Sequence, residues 1–79
     1  MTRRLVVYSS PLCAPCEMLK RLLASEGLHF EVRDVMVDAA AARLLERHGI
    51  RTTPVLAIDD DLYAGDDLAP DRLVELLDL

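Results

Sequence analysis

A chain of 79 residues and 8.8 kDa has room for one small domain, which can bury only a little over about 60% of the surface its unfolded form exposes. A 52% hydrophobic composition with 29% charged residues excludes disorder, collagen-like repeats and disulfide-dense scaffolds; with 4% aromatics and no Trp, the core has to come from Leu, Val, Ile and Ala. The net charge of -5 is lopsided, because residues 57–79 hold eight acids against Arg72 alone, and such a face repels nucleic acid and anionic membrane.

The chain opens with Arg3 and Arg4 ahead of Leu5, Val6, Val7 and Tyr8, a short run that reads as a buried strand. It is too short for a membrane span, and no small-residue cleavage site follows it, so a cytoplasmic protein is expected. Ser9, Ser10 and Pro11 end the strand. Cys16, Leu19, Leu22 and Leu23 then recur at helical spacing, opposite Glu17, Lys20, Arg21 and Glu26, with Met18 read as core or half-core and Gly27 as the C-terminal stop. Residues 29–33 alternate up to Asp34 and predict a second strand. Asp38 caps a helix expected over residues 39–48, which Gly49 ends. After Arg51, Thr52, Thr53 and Pro54, residues 55–58 form a third strand. The three aspartates at 59–61 turn the chain into a fourth strand at residues 62–64, and Gly65 ends it. A last helix starts near Pro70 and carries Leu73, Val74, Leu76 and Leu77.

The order β-α-β-α-β-β-α starts with a parallel pair joined by a right-handed crossover and closes with a hairpin. It predicts an α/β fold, a mixed sheet flanked by helices, with one domain over residues 1–79. Sites in such folds gather at the first βα turn. Cys13, Ala14, Pro15 and Cys16 lie there. With Cys13 at the N-cap, its sulfur faces the unpaired amides of the first helical turn, which stabilise a thiolate and make it a nucleophile near neutral pH. Cys16 lies one turn on, in the apolar stripe, where it is the buried member and close enough for a disulfide. Pro15 removes one amide from the turn. A zinc half-site would need two more ligands, and His29 and His48 have no matching spacing, so redox chemistry without metal is the reading.

At these residues the chain resembles the glutaredoxins and glutaredoxin-like redoxins of the thioredoxin superfamily. The likeness rests on residues 8–16, on Arg51, Thr52, Thr53, Pro54 and Val55, and on Tyr63, Ala64, Gly65, Asp66, Asp67 and Leu68. It implies the thioredoxin fold with a four-stranded sheet in the order 2-1-3-4. It further implies a thiol-disulfide oxidoreductase that reduces protein disulfides by dithiol exchange, with Cys13 as nucleophile, Cys16 as resolving thiol and Pro54 as a cis-proline. Thr53 would then offer its backbone to an extended substrate. Tyr8 would wall the site, with packing the plainer reading. Arg51 and Asp67 would hold the carboxylate and amine of glutathione, beside loop amides after Gly65 and next to Asp66.

The chain also departs from that pattern. Ser9 and Ser10 stand where glutathione-using members carry a cation, Ala14-Pro15 resembles the Gly-Pro of thioredoxins, and the Gly-Gly-x-x-Asp loop is reduced to Ala64, Gly65, Asp66 and Asp67. NrdH-type redoxins, electron donors to ribonucleotide reductase recharged by thioredoxin reductase, also lack glutathione residues. The expectations are therefore a monomer with no bound cofactor, protein disulfide substrates, and thioredoxin reductase as the better reductant. Glutathione or another low-molecular-weight thiol stands as the alternative co-substrate. A non-catalytic binding module with an acidic docking face is the rival reading from another class.

Overall fold

Alternation along the first strand sends side chains to two cores. The computed structural model describes residues 3–79, and in it β1 (Leu5–Ser9) is the central parallel strand of a four-stranded sheet. Leu5 and Val7 face a cluster built with α1 (Ala14–Ser25) and α3 (Pro70–Leu77), through Leu19, Leu23, Leu73 and Leu77. Val6 and Tyr8 face the opposite cluster, where α2 (Ala39–Arg47) contributes Ala41 and Leu45. Completing the sheet are β2 (Glu31–Asp34), parallel to β1; β3 (Val55–Ile58), antiparallel to β1; and β4 (Asp61–Ala64), antiparallel to β3. The order is β2-β1-β3-β4, which is that of the thioredoxin fold. β3 is buried on both faces, so its unbroken apolar run Val55, Leu56, Ala57 and Ile58 suits its place beside β1.

Both long helices stop by the same device. Gly27 and Gly49 adopt φ of +71° and +70°, a region that costs other residues about 1–2 kcal/mol. The turn at Gly27 lets the Leu28 amide reach the Leu23 carbonyl at 3.0 Å, and the turn at Gly49 lets the Ile50 amide reach the Leu45 carbonyl at 2.9 Å. Leu28 and Ile50 then fold back onto the two cores. Asp38 starts α2 as expected, accepting from the Ala41 amide at 3.0 Å.

Three details differ from the sequence expectation. β2 begins at Glu31, not at His29, and Val32 is 46% exposed, on a strand at the edge of the sheet. A 3-10 turn at Gly65–Leu68 precedes α3, too short to leave a periodic signal. Met18 is 67% exposed and not part of the core.

Candidate active site

The turn between β1 and α1 aims the cysteines. Leu12 sits at φ +56° with its side chain fully exposed, and this left-handed step delivers Cys13 to the N-cap in an extended conformation. Helices leave their first amides unpaired, and an N-cap side chain ordinarily accepts from the second or third of them. Pro15 occupies the second helical position and has no N–H, so the third residue serves: the Cys16 amide donates to Cys13 Sγ at 3.2 Å. Cys13 and Cys16 are joined as a disulfide, with Cα atoms 5.2 Å apart. Cys16 is wholly buried within the α1 stripe, whereas Cys13 is partly exposed.

The loop before β3 faces that sulfur. The Thr53 carbonyl oxygen and Thr53 Oγ1 each lie 3.8 Å from Cys13 Sγ, and the Ser10 and Thr53 hydroxyls are 2.6 Å apart. The Thr53–Pro54 peptide bond is cis. From here an apolar groove of about 610 Å³ runs past Pro15, Met18, Thr53 and Pro54 to Gly65 and Asp66. A smaller recess of about 280 Å³ on the other flank of Thr53 holds Ser10 and Arg51.

Of the residues singled out in the sequence, Cys13, Cys16 and Thr53 therefore meet, with Pro54, Gly65 and Asp66 along the groove and Arg51 across the Thr53 loop. Asp67 faces elsewhere: its carboxylate lies 3.9 Å from the Arg72 guanidinium. Tyr8 is 6% exposed and packs against α2 with Val6, Ala41 and Leu45, on the sheet face that strand alternation assigns it. Ser10, Leu12 and Met18 are residues of this region to which sequence reasoning assigns no role in the site. For Ser10 no signal existed, since its partner Thr53 lies 43 positions away.

Charge close to Cys13 is net negative. Glu17, Lys20 and Asp34 share a shallow recess with it, and Lys20 is ion-paired to Glu17. The perturbed titrations are remote, at the sheet edge. Hydrogen bonds from Arg33 and Arg4 hold the Glu31 carboxyl below the usual carboxylate range, and Glu31 in turn raises Arg33. Among the described residues no group of three His, Cys, Asp or Glu side chains could hold a metal ion, and no helix is long and apolar enough to cross a membrane.

A family model described as Glutaredoxin matches residues 5–63. Glutaredoxin 3 of Escherichia coli K12 is 34% identical over 70 residues, covering 76% of this chain and 82% of its own length. The glutaredoxin-like protein NrdH of Salmonella typhimurium is 31% identical over 72 residues, covering 91% of this chain and 86% of its own. Among solved structures, the NrdH-redoxin of Escherichia coli superposes with a TM-score of 0.80 at 30% identity, covering 92% of this chain and 93% of that one.

Proposed function

The chain belongs to the glutaredoxin family and is a thiol-disulfide oxidoreductase, and from that premise we propose that it reduces protein disulfides in the cytoplasm with Cys13 attacking and Cys16 resolving. The observation that carries this reading is the partly exposed Cys13 at the α1 N-cap, backed by a fully buried Cys16. The Cys13 thiolate attacks one sulfur of the substrate disulfide, and the other leaves as a thiolate that takes a proton from water. Cys16 then gives up its proton and attacks Cys13 Sγ, releasing the second substrate thiol and leaving the Cys13–Cys16 disulfide. Two electrons have passed to the substrate. An extended substrate pairs with the Thr53 backbone, its apolar neighbours lying along Pro15, Met18 and Pro54.

The partner that returns the electrons is a flavin-dependent thioredoxin reductase and not glutathione. Glutathione presents two carboxylates, and each charge-assisted hydrogen bond it lacks forfeits about 1.5–3 kcal/mol, roughly ten- to a hundredfold in affinity. Asp66 puts negative charge in the groove, Asp67 is turned to Arg72, and Ser10 stands where a cation would help. The NrdH-redoxin of Escherichia coli, which shares this fold, has a thioredoxin-like activity profile. Turnover of an insulin disulfide with thioredoxin reductase, measured against glutathione and its reductase at equal driving force, tests the reading. Faster turnover with glutathione overturns it.

A second reading, an NrdH-type electron donor to ribonucleotide reductase, is favoured by the longer share of the chain that the NrdH relative matches. Support of deoxyribonucleotide formation by the reduced protein in a purified reductase assay is its test.

A further inference from the structure

The cysteine thiolate at the N-cap is short of donors. Pro15 contributes none, and the Cys16 amide at 3.2 Å is a single one. The Thr53 carbonyl, 3.8 Å from the same sulfur, can accept from a thiol but is unfavourable to a thiolate, since it presents the negative end of its dipole. Lys20 is engaged by Glu17, Asp34 adds negative charge to that recess, and Arg51 lines the recess beyond Thr53. An uncharged donor therefore matters here, and Thr53 Oγ1, also at 3.8 Å, is in place to be one.

A threonine hydroxyl has one proton to give and lone pairs to fill. The Ser10–Thr53 contact of 2.6 Å lies at the short end of the range for hydroxyl pairs, so the two oxygens share a proton in one direction or the other. Resting on the reading of Cys13 as the attacking thiol, we infer that Ser10 is a positioning residue for the Cys13 thiolate: its hydroxyl donates to Thr53 Oγ1 and so commits the Thr53 proton to Cys13 Sγ. In the disulfide form the sulfur is a weak acceptor and the Thr53 proton can turn to Ser10. Once the pair is reduced, the negative sulfur recruits it, and the two-hydroxyl chain reverses without movement of heavy atoms. Ser10 thus supports the reduced, reactive state through Thr53.

The test is the pH profile of Cys13 alkylation by iodoacetamide in the reduced protein, with the modified sulfur mapped by mass spectrometry. Ser10→Ala is expected to move the profile to higher pH, with a roughly three- to tenfold smaller thiolate fraction at a fixed pH below its midpoint. Ser10→Thr, which keeps the hydroxyl, is expected to follow the parent profile. In a Thr53→Val background, Ser10→Ala is expected to add nothing, because the chain is already cut. A Ser10→Ala profile that overlays the parent, or full additivity of the two substitutions, overturns the inference. Alkylation of Cys16 ahead of Cys13 in the unaltered protein is a different failure, that of the nucleophile assignment itself.

Discussion

The Cys16 backbone amide points at Cys13 Sγ from 3.2 Å, so the residue whose side chain closes the disulfide also supplies, through its backbone, the helix's donor to the attacking sulfur. The backbone contact survives replacement of the Cys16 side chain. Cys16→Ser is therefore expected to retain a reactive Cys13 and to accumulate a mixed disulfide on it, whereas Cys13→Ser abolishes exchange. Mass spectrometry of the trapped adduct checks this; an active Cys13→Ser protein carrying its adduct on Cys16 contradicts it.

Pro15 withholds the second-position amide that an N-cap would normally use. Pro15→Ala restores it, and the Cys13 thiolate fraction at a fixed pH is expected to rise roughly three- to tenfold. The alkylation profile should move to lower pH, opposite to the effect of Ser10→Ala. An unchanged profile would mean that the restored amide does not reach the sulfur.

Two leucines make opposite predictions for stability. Leu56 is fully buried in the α1/α3 core, so Leu56→Ala is expected to cost about 2–5 kcal/mol in urea unfolding. Leu12 is fully exposed in the left-handed region, so Leu12→Gly removes strain of about 1–2 kcal/mol while adding a glycine's entropy of roughly 0.5–1 kcal/mol. It should unfold at nearly the parent midpoint, and a loss as large as that of Leu56→Ala would show an unseen packing role.

The lowered Glu31 carboxyl sets a pH dependence at the sheet edge. The folded state binds this proton more weakly than the unfolded chain, so the stabilisation is present above the ordinary carboxylate pKa. It is lost as pH falls through the lowered folded value. Glu31→Gln should therefore destabilise slightly at neutral pH, with the gap from the parent closing on acidification and shrinking in high salt. Urea midpoints across acidic pH measure this; a gap that widens toward low pH contradicts it.

Much of this molecule is legible in its residues, for identifiable reasons. The apolar run of β3 and the stripe of Cys16, Leu19 and Leu23 declare buried elements, and Gly27, Asp38 and Gly49 mark helix ends through local backbone needs. Cys13 at the N-cap follows from the same local logic. Strand order came from family likeness, since nothing local distinguishes which strand sits at the edge. Alternation alone does not set how far a residue of an edge strand, such as Val32, stays exposed. Contacts between distant segments were equally silent: Ser10 with Thr53 depends on the closed fold, and Asp67 turns to Arg72 because the 3-10 turn redirects the chain. Tyr8 is instructive, because an apolar run identifies β1 as a strand without saying which face each ring takes, and the folded sheet places this one on the α2 face.

The two outer strands are four residues each and carry charge where another chain would dock: Glu31, Arg33 and Asp34 on β2, and Asp61 opening β4. An open sheet border is a template for fibril growth, and short length with mixed charge is how natural sheets decline it. On β2 the charges are also engaged in the Arg4–Glu31 and Arg33–Glu31 ion pairs. Neutralising that border, with Glu31→Val and Arg33→Thr together, would give the sheet an adhesive rim and convert a discrete electron carrier into an aggregation-prone one.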